Sequence, residues 1–147
     1  MATVPPLVLL VDDEAPFVET MTKRLAKREL KVNTALSGKE ALEMLDKHRN
    51  TDVVILDVKM PEMDGIETLR QIKKAYPLTE VIMLTGHATV ETAIEGMKLG
   101  AYDYLMKPCD IEQLMEKVQE ATKKKRDHEK RIREARVKEA LSVHGLE

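Results

Sequence analysis

The stretch DVVILDVKMPEMDG, residues 52–65, decides the fold. Its first five residues, Asp52 to Leu56, form a short run that is mostly apolar on both faces, which is typical of a strand buried in a parallel sheet. Asp57 follows the run directly, and Pro61 with Asp64-Gly65 indicates a break before the next element. The stretch therefore predicts a buried strand that ends in a carboxylate.

Similar runs recur along the first 106 residues. Residues 7–11, 80–84 and 103–106 are also apolar on both faces, whereas residues 31–36 are more mixed and indicate an edge strand. Segments with apolar residues three and four positions apart follow each run and predict helices. Five strands that alternate with five helices predict an α/β fold, a doubly wound five-stranded parallel sheet of (βα)5 type with helices on both faces.

Polar side chains follow four of the predicted strands. Asp12 and Asp13 come after the first strand, Asp57 after the third, Thr85 after the fourth and Lys107 after the fifth. Functional groups of doubly wound sheets gather beyond the carboxyl ends of the strands. Each residue alone has an ordinary explanation, such as an aspartate that caps a helix or a solvated lysine. Their coincidence at four strand ends predicts a site.

The three aspartates need a partner of opposite charge. Two carboxylates about 5 Å apart at an effective dielectric constant of ~20 repel by roughly 3 kcal/mol. Asp12, Asp13 and Asp57 therefore require either raised pKa values or a cation, and hard oxygen ligands suit Mg²⁺. A metal ion beside an amine and a hydroxyl is what phosphoryl transfer to a carboxylate nucleophile needs.

Four motifs carry a family resemblance: VDDE at 11–14, DVKMPEMDG at 57–65, MLTGHA at 83–88 and GAYDYLMKP at 100–108. Over roughly residues 5–122 the chain resembles the receiver domain of two-component response regulators, which has a flavodoxin-like fold. It is most similar to receivers that precede sigma-54-dependent ATPase activators, which implies a cytoplasmic role in transcription regulation.

The resemblance implies a phosphoacceptor and a metal site. Asp57 would take the phosphoryl group from a sensor histidine kinase or a phosphotransfer protein. Asp13, Asp57 and the backbone carbonyl of Lys59 would hold Mg²⁺ or Mn²⁺ directly, and Asp12 would act mainly through water. The domain would catalyse its own modification and its own slow dephosphorylation, and would be a regulatory phosphoacceptor and not an enzyme in the ordinary sense.

The resemblance also implies a phosphate cradle and a switch. Lys107, aimed by a cis bond to Pro108, would pair with the phosphoryl oxygens, and the Thr85 hydroxyl would turn toward them. Backbone N–H groups of Lys59 and Gly86 would complete the cradle. Tyr104 would rotate into the space that Thr85 leaves and reshape the face formed by the fourth helix, fifth strand and fifth helix. A half-buried Tyr104 without a switching role is the alternative.

Two further positions are expected to tune the lifetime of the phosphoryl group. Lys59 and His87 lie two residues after the acceptor and after the switch threonine. Their long basic side chains would shield the phosphoryl group from water and extend its lifetime beyond seconds. A solvated His87 is the alternative.

Composition excludes several classes of protein. The 147 residues correspond to one domain with a short appendage. A single cysteine excludes an internal disulfide framework and a cysteine-based zinc module. The sequence contains no run of about 20 apolar residues, so we expect no membrane span. The start, MATVPP, lacks the regions of a signal peptide, and we expect a cytoplasmic protein.

Charge divides the chain near residue 122. Residues 1–122 hold 15 basic and 21 acidic side chains, whereas residues 123–139 hold nine basic and four acidic ones. We therefore expect a receiver domain at 1–122 and a basic helical extension or linker at 123–147. The stretch from Asp110, the expected N-cap, to about His144 has no proline or glycine, which allows a helix of roughly 50 Å.

The role of this extension stays open. The helix either forms a weakly encoded coiled coil that supports a homodimer or is a solvated helix that frays. Its basic run at 123–126 is interrupted by acidic residues and too short for a helix-turn-helix module, so we do not expect direct DNA binding. The chain is either a stand-alone receiver or a fragment of a longer regulator.

The sequence leaves two alternatives to a phosphorylated receiver. The first is a Mg²⁺-dependent phosphohydrolase with an aspartyl-phosphate intermediate. That family usually carries a second acid two residues after the nucleophile, where this chain has Lys59. The second is a degenerate receiver that only docks, which the full set of charged groups disfavours.

Overall fold

A parallel sheet forms the centre of the computed structural model, which describes residues 4–143 and 145. Within this part of the chain five strands are hydrogen-bonded in the order β2-β1-β3-β4-β5. The strands are β1 (Leu7–Val11), β2 (Lys31–Ala35), β3 (Val53–Leu56), β4 (Glu80–Thr85) and β5 (Asp103–Met106). The helices are α1 (Ala15–Ala26), α2 (Gly38–Lys47), α3 (Gly65–Ala75), α4 (Val90–Lys98) and α5 (Ile111–Val143).

The predicted (βα)5 fold is confirmed. The mixed run at 31–36 forms β2, which lies at one edge of the sheet, and β5 forms the other edge. The strand order reverses at β1, which lies between β2 and β3. Val11 of β1 stands opposite Leu56 of β3, so the residues that follow them, Asp12 and Asp57, emerge side by side.

Alternating strand side chains feed two apolar cores. Leu10 and Ile55 point toward α1 and α5, where they pack with Leu114. Their neighbours Leu9 and Leu56 point to the other face, which α2, α3 and α4 cover. Full burial of each such side chain contributes roughly 1.5–3 kcal/mol. Burial on both faces explains why the strands are apolar at almost every position.

Helix α5 has 33 residues and continues past the predicted domain division at residue 122 without a break. The carbonyl of Asp110 accepts from the N–H of Leu114, and its Oδ1 accepts from the N–H of Glu112 at 3.3 Å, as expected for an N-cap. The helix ends at Val143, and the predicted end at about His144 lies outside the described residues. None of the helices described combines the length and apolarity that a membrane crossing requires.

Three residues of the predicted basic extension contact the body of the domain. Lys124 pairs with Glu80 at 2.9 Å, and Lys125 and Arg126 both pair with Asp52. Asp52 and Glu80 lie at the amino ends of β3 and β4, the edge of the sheet opposite Asp57. The contacts of α5 with the domain therefore extend at least to Arg126.

Candidate functional site

Three carboxylates converge where β1 and β3 end. Asp12, Asp13 and Asp57 each offer an oxygen, and these oxygens lie within 4.8 Å of one another. Asp12 and Asp57 are buried, whereas Asp13 is exposed. The backbone N–H of Asp57 donates to the carbonyl of Val11 at 3.0 Å, which extends the ladder between β1 and β3 by one residue. The parallel register thus brings the cluster together.

The loop after Asp57 depends on Gly65. The N–H of Gly65 donates to the carbonyl of Val58 at 2.6 Å. A Cβ atom added at Gly65 would lie 2.0 Å from the carbonyl oxygen of Asp57, so only glycine fits this approach. Asp64 then starts α3 by accepting from the N–H of Glu67 at 2.9 Å. The start of α3 therefore packs directly against the backbone of Asp57.

The Lys107 side chain reaches this cluster from β5. Its Nζ donates to Asp12 Oδ2 at 2.6 Å and lies 3.4 Å from Glu14 Oε1. The ammonium also stands 3.9 Å from the centre of the Phe17 ring, where a cation is attracted to the aromatic face. The Lys107–Pro108 peptide bond is cis, as the resemblance implies. The amine thus pairs with Asp12 in this structure.

The pKa values of this pair reflect both burial and charge. Burial raises the pKa of Asp12, and the negative charge of Asp57 adds to this effect, although hydrogen bonds from Lys107 and from the N–H of Glu14 oppose it. Burial would lower the pKa of Lys107, but its hydrogen bond to Asp12 and the surrounding carboxylates outweigh burial and raise it. Because burial disfavours the charged form of Asp12, a further cation beside it would stabilise the site.

Thr85 and the loop after β4 form another wall. Thr85 is fully buried, and its hydroxyl accepts from the N–H of His87 at 3.0 Å. Gly86 lies beside Lys107: a Cβ atom added at Gly86 would be 4.0 Å from the Lys107 Cδ atom. The hydroxyl of Thr85 is therefore engaged within its own loop.

A cleft of about 400 Å³ opens above the acceptor residue. Its lining comprises Asp13, Glu14, Asp57, Lys59, Met60, Pro61 and His87. Lys59 and His87 are both exposed there, and they lie two residues after Asp57 and Thr85 respectively. The two predicted tuning residues thus share one cleft with the predicted acceptor.

Tyr104 stands apart from this group. It is half-buried on β5, and its hydroxyl lies 2.7 Å from Thr92 Oγ1 on α4. Two contacts in the region were not expected from the sequence. The contact between Tyr104 and Thr92 joins β5 to α4. The ring of Phe17, an apolar residue of α1, lies against the ammonium of Lys107. Helical spacing carries no signal for either contact.

The donor set of the cluster fits a hard divalent cation. Three carboxylates supply oxygen ligands, and the adjoining cleft leaves space for water and for a phosphoryl group. Mg²⁺ prefers such oxygen ligands and retains several waters. The cluster has the composition of a magnesium site beside a phosphate-binding cleft.

Comparison with known proteins gives relatives of regulatory function. The transcriptional regulatory protein ZraR of Escherichia coli O157:H7 is 40% identical over 114 residues, which is 78% of this chain and 26% of that protein. Regulatory protein AtoC of Escherichia coli strain K12 is 39% identical over 115 residues, which is 78% of this chain and 24% of that protein. The chain thus spans about a quarter of the length of these regulators.

Solved structures match nearly along their full length. A response regulator receiver domain protein from Clostridium thermocellum has a TM-score of 0.79 and 38% identity, covering 82% of this chain and 97% of that one. The receiver domain of NtrX from Brucella abortus has a TM-score of 0.73 and 30% identity, with coverages of 79% and 98%.

The family model of the response regulator receiver domain matches residues 8–119 of this chain. This range includes all four motifs on which the resemblance rests and every residue of the carboxylate cluster. The predicted family is confirmed: the chain belongs to the response regulator receiver domains.

Proposed function

We propose that Asp57 accepts a phosphoryl group from a phosphohistidine of a sensor histidine kinase or phosphotransfer protein. A carboxylate oxygen of Asp57 attacks phosphorus, the P–N bond breaks, and the imidazole leaves with the bonding electron pair. The observation that carries this proposal is the convergence of Asp12, Asp13 and Asp57 within 4.8 Å beside an open cleft. The function of the chain as a signalling receiver follows from its family.

Each carboxylate of the cluster would have its own role in binding the metal. Asp13, Asp57 and the carbonyl of Lys59 would hold Mg²⁺ or Mn²⁺, with Asp12 contributing through water. A bound Mg²⁺ neutralises charge on the phosphoryl oxygens during transfer. Asp12 would in turn orient Lys107, whose ammonium lies 2.6 Å from Asp12 Oδ2.

Thr85 would be the first residue of the switch to respond to phosphorylation. Its hydroxyl, which accepts from the N–H of His87 in this structure, would turn to donate its proton to a phosphoryl oxygen, and Lys107 would pair with another phosphoryl oxygen. The N–H groups of Lys59 and Gly86 would complete the cradle. Tyr104 would then turn toward the space that the Thr85 side chain leaves.

The output face would be formed by α4, β5 and α5. Val90, Ile94 and Met97 follow one another on α4 at helical spacing and are 72%, 51% and 47% exposed. An exposed apolar stripe of this kind suits a surface that meets a protein. A movement of Tyr104 below α4 would alter this stripe.

Lys59 and His87 would control hydrolysis of the phosphoryl group. Both line the cleft beside Asp57, where long basic side chains restrict the approach of water. We propose a phosphorylated lifetime longer than seconds. A half-life of a few seconds in the absence of a phosphatase would contradict this role.

The protein as a whole would act in gene regulation. The relatives ZraR and AtoC are regulatory proteins, and the resemblance to receivers of sigma-54-dependent activators supports a role in cytoplasmic transcription regulation. We propose a receiver unit at 1–122 followed by a basic helical extension or linker at 123–147, whose first residues, through Arg126, pack against the receiver unit. The extension would support a weak homodimer, and direct DNA contact by this chain is not proposed.

Intact-mass measurement tests the phosphoacceptor. The protein is incubated with acetyl phosphate and Mg²⁺, and a single stable phosphoryl adduct is expected. Asp57→Ala should lack the adduct, while Asp46→Asn, a change at an exposed residue of α2, should keep it. Sustained turnover of phosphoesters would instead indicate the phosphohydrolase, and absence of any adduct would indicate a docking domain.

A further inference from the structure

A chain of hydroxyl groups joins Tyr104 to the amino end of α4. The Tyr104 hydroxyl lies 2.7 Å from Thr92 Oγ1, which lies 2.9 Å from Thr89 Oγ1. Thr89 is the N-cap of α4 and Thr92 its third residue, and the two form a reciprocal capping box. Tyr104 therefore bonds directly to a residue that caps the helix.

The hydrogen-bonding capacity of the Thr92 hydroxyl determines which group donates in each of its bonds. Thr92 Oγ1 accepts from the N–H of Thr89 at 3.2 Å, and its own proton has an acceptor in the carbonyl of Thr89 at 3.1 Å. A hydroxyl has one proton and two lone pairs. With the proton directed to Thr89, the second lone pair of Thr92 accepts from the Tyr104 hydroxyl. The full capacity of the Thr92 side chain is then used.

The ring of Tyr104 also packs beneath α4. Gly96 of this helix is buried, and a Cβ atom added there would lie 3.8 Å from both Tyr104 Cδ2 and Met83 Cγ. The ring is thus held by apolar contact along its side and by Thr92 at its tip. A change of rotamer moves the phenolic oxygen by several ångströms, which breaks the bond to Thr92.

We propose that Thr92 is a positioning residue that holds Tyr104 in its unphosphorylated orientation and links that orientation to the capped end of α4. The link to signalling depends on the proposed function, in which Tyr104 turns toward Thr85. Because the turn breaks the bond, Thr92 opposes it. The two reciprocal bonds of the cap, from the N–H of Thr92 to Thr89 Oγ1 at 3.1 Å and from the N–H of Thr89 to Thr92 Oγ1 at 3.2 Å, remain afterwards. The helix therefore keeps its cap while its hydrogen bond to β5 is lost.

Three variants isolate this bond. Thr92→Val keeps the shape of the side chain and removes the hydroxyl, Thr92→Ser keeps the hydroxyl, and Tyr104→Phe removes only the phenolic oxygen and leaves the cap intact. The probe is beryllium fluoride with Mg²⁺, which mimics a phosphoryl group on the acceptor. A neutral hydrogen bond contributes about a factor of five to an equilibrium. Thr92→Val and Tyr104→Phe should each tighten binding of the probe about fivefold, and Thr92→Ser should leave it unchanged.

The double variant separates positioning from capping. If Thr92 acts through Tyr104, adding Thr92→Val to Tyr104→Phe produces no further change in affinity for the probe. If Thr92 only caps α4, its substitution changes the affinity equally with and without the Tyr104 hydroxyl, and the proposal fails. Unchanged affinity in both single variants would also overturn it.

A second measurement does not depend on phosphorylation. The chain has three tyrosines, so the ring signals of isotope-labelled tyrosine can be assigned by NMR from single Tyr→Phe variants. In the free protein, Thr92→Val should shift the Tyr104 signal, whereas Thr92→Ser should not. Failure of the wild type to bind the probe would count against the proposed function alone. An unshifted Tyr104 signal in Thr92→Val would count against the positioning role.

Discussion

Lys125 Nζ lies 3.3 Å from Asp52 Oδ1, so a buried lysine of α5 pairs with a buried carboxylate at the amino end of β3. Their side chains are only 6% and 4% exposed. Asp52 also accepts from Arg126 Nη2 at 3.0 Å and from the N–H of Leu7 at 2.9 Å. The basic run that marks the predicted extension thus points partly inward, and its charges serve packing of the domain.

Replacement of Asp52 should destabilise the protein. Asp52→Asn leaves Lys125 buried with only the half-exposed Glu129 as a charged partner, 3.2 Å away. Removal of one partner of a buried pair costs about 3 kcal/mol, and urea unfolding followed by circular dichroism measures the loss. Lys138→Met, at an exposed position of α5, should stay within about 0.5 kcal/mol of the wild type. We call the contacts of Asp52 with Lys125 and Arg126 the anchor. An effect of Asp52→Asn as small as that of Lys138→Met would contradict a stabilising role of the anchor.

Two truncations should separate this anchor from the rest of the extension. A chain that ends after Glu129 keeps Lys124, Lys125 and Arg126, whereas one that ends after Thr122 leaves Asp52 without its two cations. We expect the longer chain to unfold like the wild type and the shorter one to lose about 3 kcal/mol. Equal stability of the two chains would show that the anchor contributes nothing.

The same truncations test the proposed homodimer. Val137 and Leu141 lie beyond the anchor and are 59% and 39% exposed, so their apolar surface is available to a second copy. Light scattering at high concentration should show weak association of the full chain that is lost in both truncations. A monomeric full chain, with and without beryllium fluoride, would exclude this role for the extension.

The carboxylate cluster could be predicted from the sequence because it follows from local features. A buried parallel strand is apolar at nearly every position, and the residue after it must lie at the carboxyl edge of the sheet. Asp57 and Asp12 were therefore recognisable from their place after β3 and β1. No distant contact had to be known.

The anchor could not be predicted in this way. Asp52 and Lys125 are separated by 73 positions, and neither has an unusual local pattern. When only neighbouring residues are considered, a charged run at the end of a helix indicates a solvent-exposed segment. The predicted division at residue 122 followed this charge pattern and the extent of the family resemblance. The bond between Thr92 and Tyr104 depends in the same way on how α4 lies over β5.

Substitution of Gly65 should disrupt the acceptor loop. A methyl group there would lie 2.0 Å from the carbonyl oxygen of Asp57 and 2.7 Å from the Cα atom of Val58, both of which are backbone atoms that cannot rotate away. Gly65→Ala should lower stability by several kcal/mol, at the upper end of single substitutions, and should reduce formation of the phosphoryl adduct. Gly86→Ala is the matched control for stability, since its Cβ would meet only Lys107 Cδ at 4.0 Å. Equal unfolding midpoints of the two variants would contradict this close approach.

The raised pKa of Asp12 predicts that, in the absence of metal, the site lowers the stability of the folded protein as pH rises. Burial makes the folded protein hold the Asp12 proton more tightly than the unfolded chain does. The resulting stabilisation is complete below the ordinary pKa of about 4 and is lost as pH rises through the raised value. Asp12→Asn has no proton to lose there. With EDTA present, its free energy of unfolding relative to the wild type should therefore increase between pH 4 and 8, and a constant difference would contradict the burial effect.

Mg²⁺ should remove much of this cost by supplying the missing positive charge. At about 100 times its Kd, a ligand that binds only the folded state stabilises it by ~2.7 kcal/mol, which corresponds to a rise in Tm of roughly 5–10 °C for a domain of this size. We expect this rise in the wild type and its loss in Asp13→Asn and Asp57→Asn, because each variant removes one carboxylate of the cluster. Asp46→Asn keeps the same overall charge as these variants and should retain the full shift. If Asp46→Asn lost the shift as well, Mg²⁺ would be acting on the net charge of the protein and the three aspartates would not form its binding site.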